Sequence, residues 1–373
     1  MNRIAILSNA GSGRNRRRSA LLAQLDALSG IEHRVTHCAQ EVPAALEALL
    51  RSAPPLLAIN GGDGTVQTVL TALAARPDLP QPAIAILPAG STNMSAGDLG
   101  CGGALTKRLS ALLALRDRPP QCWPQQQRAP LQVTTAAGER RLGFFFGIGT
   151  IVRGIDYWHR SLAHGGGIGQ WGAGAAMARA AWGILRRQPP FAEPVRVRIA
   201  VDDAAPRDVD LMFLLVTPMR RLFLGLQPFW GDGPGPLALT WVDDRPQRFL
   251  RRIPALLRGR SAALPVAAGY HGERPARIEL DLDEPWVIDG EVIEEGGHLR
   301  LEPGPLMAFV ALDGSSPRPS VAMSDPRSEP APGSFHEPLH QAPHEAPYKA
   351  PYKARLKARD RAASDGRHRG VQR

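Results

Sequence analysis

The sequence predicts an α/β unit on a parallel sheet over residues 1–125, followed by a mostly antiparallel, β-rich sandwich or half-barrel over residues 126–313. Three observations predict this. Three apolar, strand-like runs each break into a small, polar, glycine-bearing turn. Strand-like and helix-like segments alternate as far as Pro119-Pro120-Gln121-Cys122-Trp123-Pro124. Past that stretch, short β-type runs separated by turn signals take over.

In chain order, the first strand is Ile4–Leu7, which ends in Ser8-Asn9-Ala10-Gly11-Ser12-Gly13. A basic turn leads to a helix over Ser19–Leu28, a strand over His33–His37 and a helix over Pro43–Leu50. Leu56-Leu57-Ala58-Ile59, introduced by Pro54-Pro55, is a buried strand that breaks into Gly61-Gly62-Asp63-Gly64-Thr65. The run Val66–Leu73 after it has helical period, and Thr65 suits its N-cap. The strand Ala83–Leu87 ends in Pro88-Ala89-Gly90-Ser91-Thr92-Asn93, followed by helices near Met94–Ala96 and Leu105–Leu115. The second unit offers strands at Leu131–Thr135, Leu142–Phe146, Val195–Val201, Leu211–Thr217, Leu237–Val242, Ala276–Leu282, Val287–Ile288 and Leu299–Leu301, with one helical insert near 169–187.

A single glycine turn often does no more than pack a helix on a strand. Three such turns at the carboxyl ends of parallel strands predict one crevice. Glycine lets the backbone approach a bulky polyanion, and free N–H groups at a helix start favour negative charge. An aspartate inside such a turn opposes a phosphate. Asp63 must therefore be screened by a divalent cation or face a sugar or attacking hydroxyl.

Composition narrows the classes. The 373-residue chain is 43% hydrophobic and 21% charged, the balance of a globular protein. Cys38, Cys101 and Cys122 make an odd set without paired spacing, which argues for a reducing compartment and against a disulfide or zinc framework. Four apolar residues after Met1-Asn2-Arg3 are too few for a secretory signal. No run reaches the roughly 18 apolar residues of a spanning helix; Leu211–Trp230 is interrupted by Arg220-Arg221. The expectation is a cytoplasmic protein that touches a membrane from the side if at all. Of the net charge of +10, the stretch 314–373 supplies 11 Lys/Arg against 6 Asp/Glu. Lys107 is the only lysine before that stretch, which excludes a lysine-dependent P-loop. Phosphate contacts fall to backbone N–H groups, arginines or a metal.

The three turns, together with Val287-Ile288-Asp289-Gly290-Glu291, resemble the motifs of the diacylglycerol kinase catalytic-domain family, bacterial lipid kinases related to sphingosine kinases. Gly-Gly-Asp-Gly-Thr alone also occurs in NAD kinases, and the downstream Asp-Gly-Glu narrows the choice. The resemblance implies ATP as phosphoryl donor, Mg2+ as cofactor and a lipid alcohol as acceptor, diacylglycerol by default. It implies nucleotide contacts at Asn9, Gly11, Ser12, Gly13, Gly61, Gly62, Asp63, Gly64, Thr65, Gly90, Ser91 and Asn93. Cys38 stands where the family has a threonine near the base or ribose. Ser91 replaces a threonine, and Met94 replaces an aspartate. For catalysis it points to Glu291 as the base, with Asp289 as its companion and Asp63 beside the metal. Asp232, in a loosely matching turn, is the candidate metal ligand. Other acceptors (a sphingoid base, a glycolipid or NAD) and a catalytically silent lipid- or nucleic-acid-binding role stay open, as does homodimer formation. Nucleic acid is the less expected partner.

Three further features stand apart from these motifs. Gly165–Trp171 and Trp182–Arg187 suit a bilayer interface or a helix packed on the sandwich, and Arg220–Leu226 is a second mixed basic and apolar patch. His336, His340 and His344 are spaced as a helical metal face would be, but Pro338 and Pro343 break that helix. The Pro-, Ser- and Arg-rich stretch 314–373 lacks core-forming residues and is expected to be disordered.

Overall fold

A parallel sheet with helices packed on it forms the first half of the chain. The computed structural model describes residues 2–17, 19–163 and 193–314; the expected insert at 169–187, the three spaced histidines and the stretch beyond 314 lie outside them. The elements run β1 (Ile4–Asn9), α1 (Gly13–Arg16), α2 (Ser19–Asp26), β2 (Ile31–Thr36), α3 (Val42–Leu50), β3 (Leu56–Gly61), α4 (Asp63–Ala74), β4 (Ala83–Pro88), α5 (Met94–Asp98), α6 (Leu105–Leu115) and β5 (Gln125–Arg128). β3 and β4 are buried at every position, as strands covered on both faces must be.

The second half runs β6 (Leu131–Thr135), β7 (Arg140–Gly143), β8 (Phe146–Gly149), α7 (Thr150–Ala163), β9 (Val195–Val201), β10 (Arg207–Thr217), β11 (Ala238–Asp243) and α8 (Phe249–Leu257). It closes with β12 (Tyr270–Glu273), β13 (Ile278–Leu282), β14 (Trp286–Ile288), β15 (Glu291–Ile293), β16 (Gly297–Pro303) and β17 (Met307–Val310).

The first sheet has the order β2-β1-β3-β4-β17-β5. From β1 the chain steps to β2 on one side, then crosses to β3 on the other. The topological switch point therefore lies between the carboxyl ends of β1 and β3, where open α/β sheets bind ligands. The second sheet has eleven antiparallel strands and forks at β10, which pairs with β9 over its first part, β8 over its last part and β11 along the other edge. Its alternating inward residues, from Leu131 and Val133 at one end to Trp286 and Ile288 at the other, share one core. The sheet is thus curled on itself, and the expected α/β-plus-β-rich architecture is the one observed.

Several details differ from the expectation. The α4 helix starts at Asp63 with Gly62 as N-cap, so Thr65 sits in its first turn. The strand expected at Leu142–Phe146 is two strands, β7 and β8, broken at Phe144-Phe145. Those two side chains leave the second sheet and enter the core of the first, where Phe144 meets Phe309 edge-on at 5.9 Å. β17 returns from the end of the second half to pair with β4 and β5, so the 125/126 boundary cuts across one sheet. α7 and α8 are not among the expected helices, because arginine interrupts the apolar residues of both, with Gly154 in α7 and Pro254 in α8.

Side-chain links add to the β17 pairing in holding the halves together. The Leu142 N–H donates to Thr71 Oγ1 at 2.9 Å, tying β7 to α4. The Asp98 carboxylate, buried at the end of α5, pairs with Arg128 at 2.6 Å and accepts the Arg220 N–H at 2.9 Å. Arg128 also donates to the Pro218 carbonyl. Removing one partner of a buried pair leaves the other charge uncompensated, so Asp98→Asn is expected to cost about 3 kcal/mol. Urea unfolding of the variant checks this, and an unchanged midpoint refutes the clamp.

Candidate active site

The three turns meet because small residues let their backbones touch. A Cβ on Gly90 would lie 2.5 Å from the Gly62 Cα, so glycine at these two positions is a condition of contact between the second and third turns. A Cβ on Gly61 would strike the Thr65 side chain. Asn9 joins the first turn to the second: its amide donates to Thr65 Oγ1 at 2.9 Å, while its side-chain oxygen accepts the Gly11 N–H at 2.8 Å. Asn93, in left-handed backbone with φ 51°, folds its amide back on both the N–H and the carbonyl of Gly90.

Asp63 is the hub of this junction. Its carboxylate accepts from Thr92 Oγ1 (2.8 Å), the Met94 N–H (3.1 Å), the Ser95 N–H (3.0 Å) and Ser95 Oγ (2.7 Å). It therefore caps α5 from thirty residues away in sequence. Four donors fill the acceptor capacity of a carboxylate.

Asp289 comes from the other half. It sits between β14 and β15 at φ 46° and is buried. Both of its carboxylate oxygens accept the Phe144 N–H (3.1 and 3.0 Å), and its own N–H donates to the Phe145 carbonyl. The β7–β8 break thus forms its seat. Gly143 is part of that seat, since a Cβ there would fall 2.8 Å from an Asp289 oxygen. Burial pushes the Asp289 carboxyl well above the usual 3.8, and the charge of Asp63 pushes it the same way. The backbone at Phe144 and Phe145 pulls it down in part.

The other anticipated residues divide into two groups. Ser12, Gly13, Gly64 and Ser91 line the junction without close packing around them. A Cβ on Gly64 would meet nothing within 4 Å, so protein packing does not demand glycine there. Gly11 is solvent-exposed, and so is Cys38, on the loop after β2. Buried Cys101, its thiol pushed up to about 11, donates to the Val310 carbonyl and has a packing role.

Glu291 and Asp232 have surface surroundings. Glu291 is half-exposed on β15 and pairs with Arg141 at 3.2 Å, which also holds Glu139. Asp232 is exposed, and its turn is explained by packing: Cβ atoms on Gly231, Gly233 or Gly235 would collide with the backbone of 272–276. No group of three or more His, Cys, Asp or Glu residues able to hold a metal occurs among the described residues. With Asp63 saturated by protein donors, these residues do not fit a protein-built Mg2+ cage.

Beside the junction opens a cleft of about 760 Å3, lined by Arg14, Ser91, Thr92 and Met94 from the first half and by the Arg221–Gly225 strap from the second. Sequence reasoning missed Thr92, Ser95, Gly143 and Phe144 as supports of the two acids. Only the small polar run Ser91-Thr92-Asn93 ahead of α5 hinted at a capped start.

Because the folded state raises the Asp289 carboxyl above its unfolded value, it favours the protonated form. The stability this confers is fully present below 3.8 and is lost as pH rises through the folded value. Asp289→Asn cannot ionise. It is expected to flatten the pH dependence and to be at least as stable as the wild type near neutrality. Urea midpoints across a pH series decide this, and parallel slopes in the two proteins would contradict it.

Residues 3–121 match the family described as diacylglycerol kinase catalytic domain. By sequence, no curated protein matches the chain. Among solved structures, a protein from Bacillus anthracis str. Sterne assigned as a diacylglycerol kinase is similar at 15% identity, with 83% of this chain and 96% of that chain covered and a TM-score of 0.55. A second structure, of a diacylglycerol kinase from the same organism, is similar at 14% identity, with 83% and 96% covered and a TM-score of 0.51. At these identities the likeness establishes a shared fold.

Proposed function

We propose, from the match of residues 3–121 to the diacylglycerol kinase catalytic domain family, that the protein is an ATP-dependent lipid kinase acting on a lipid alcohol, with diacylglycerol the default acceptor. The observation that carries this reading is the convergence of Asp289, buried and biased toward its protonated form, on Asp63 at the junction of the glycine turns. A carboxylate so placed suits proton removal from an alcohol beside a phosphate site.

Residues 1–125 then form the nucleotide side and residues 126–313 the acceptor side. The first N–H groups of α4 at Asp63 and Gly64, with Ser12, Gly13 and Ser91, face the phosphates. Asp63 holds the third turn in place. Asp289, acting in its ionised form with the high proton affinity that burial gives it, accepts the hydroxyl proton as the alcohol oxygen bonds to the γ-phosphorus and the bond to the bridging oxygen of ADP breaks. Glu291, neutralised by Arg141, lies outside this step. Magnesium, if bound with the triphosphate, would supply neutralisation of its charge, with no protein-built cage among the described residues. Among the described residues no helix is long and apolar enough to cross a membrane. The protein is proposed to meet its acceptor peripherally, at the cytoplasmic face.

Labelled ATP, magnesium and a panel of acceptors (diacylglycerol, a sphingoid base, a glycolipid and NAD) test the reading. Asp289→Asn is expected to lower transfer by about 10²–10⁴-fold. Glu291→Ala should change it by less than about fivefold, as loss of an exposed ion pair would. Label on NAD, or on no acceptor, overturns the lipid assignment. Gly64→Ala separates nucleotide contact from packing. It should stabilise the fold by about 0.5–1 kcal/mol while raising KM for ATP, and an unchanged KM removes Gly64 from the nucleotide site.

A further inference from the structure

α8 is apolar on two faces. Its inner residues Phe249, Ala255 and Leu256 pack with Val242, Leu264 and Tyr270. Its outer face carries Leu250, Pro254 and Leu257 at helical spacing, and Leu250 is 53% exposed. Val266, on the segment that packs back on the helix, is 64% exposed. From Arg245 to Gly272 the chain holds six arginines and no Asp or Glu. Arg245 pairs with Asp244, and Arg252 lies over the Tyr270 ring. Arg248, Arg251, Arg258 and Arg260 have no carboxylate partner among the described residues.

This surface continues to the mouth of the cleft. The Gln227 N–H donates to the Leu257 carbonyl at 3.0 Å, fastening the strap that carries Leu224 to the end of α8. Leu224, on the cleft rim, is 74% exposed and held at φ 59°. Leucine in left-handed backbone, turned to solvent beside Arg221, gains nothing from water.

We infer that α8 and the Leu222–Leu226 strap form a docking surface for an anionic lipid bilayer. The arginines meet the headgroups, and Leu224, Leu250 and Val266 enter the interface. Charge complementarity alone would also suit a nucleic acid. The outward leucines interleaved with the arginines favour the bilayer, since a polyanion in water offers them no apolar contact. The inference rests on the lipid-kinase reading only for its purpose, which is to bring the cleft mouth to the surface that holds the acceptor.

Flotation of the full chain with vesicles of phosphatidylcholine, with and without phosphatidylglycerol, tests it. The wild type is expected to float with the anionic vesicles, and added salt should weaken this binding. Arg248→Gln/Arg251→Gln should weaken it roughly thirtyfold, at about 1 kcal/mol per arginine. Leu250→Ser should weaken it as well, while all these variants phosphorylate a soluble short-chain acceptor at the wild-type rate. Absence of vesicle binding, or equal binding by wild type and variants, overturns the surface. So does retention on duplex DNA that falls in the arginine variant and not in Leu250→Ser. Failure of the kinase reading appears separately, as absence of transfer to any acceptor with flotation intact.

Discussion

One carboxylate holds the junction. Asp63 draws four donors from Thr92, Met94 and Ser95, and in doing so fixes the third turn against the second. A charged acceptor with every lone pair engaged gives some of the strongest hydrogen bonds available to a protein. Those bonds are compatible only with glycine at 62 and 90, because the Asp63 carboxylate reaches α5 only when the two turns lie backbone against backbone. The Asn9–Thr65 bond then adds the first turn, and the carboxyl ends of β1, β3 and β4 become one rigid rim.

The second half contributes a group that the rim lacks. Asp289 is set by a break in the sheet: where β7 gives way to β8, Phe144 and Phe145 turn into the first core and leave their backbone free to hold a carboxylate. Burial and the Asp63 charge both disfavour ionisation there. An acid in that state is costly to keep. Asp98–Arg128, the Leu142–Thr71 bond and the return of β17 into the first sheet hold the two halves close enough to keep it.

The two acids of the Asp-Gly-Glu turn occupy different surroundings. Glu291 carries the same chemistry as Asp289 two residues earlier, but Asp289 sits at φ 46° in the turn between β14 and β15 while Glu291 opens β15, and that left-handed bend gives the two side chains different surroundings. One faces the junction, and the other faces solvent and Arg141. Asp232 shows the converse. Its glycines suggested a ligand turn, yet they are required by close passage against the backbone of 272–276.

The sequence by itself determined the parallel sheet, the three turns and the β-rich second half. These depend on short-range features: apolar runs of strand length, glycine where chains must touch and turn residues between strands. It also marked Asp63 and Asp289 as acids in glycine turns, without saying which would be consumed in holding the fold. Only the tertiary structure decided that Asp63 caps a helix thirty residues away, that Asp289 is buried within reach of its charge while Glu291 pairs with Arg141, and that the last strand closes the first sheet. Each of these is a pairing between distant segments. Such pairings arise from register, burial and charge across the two halves, quantities that no local pattern of residues encodes.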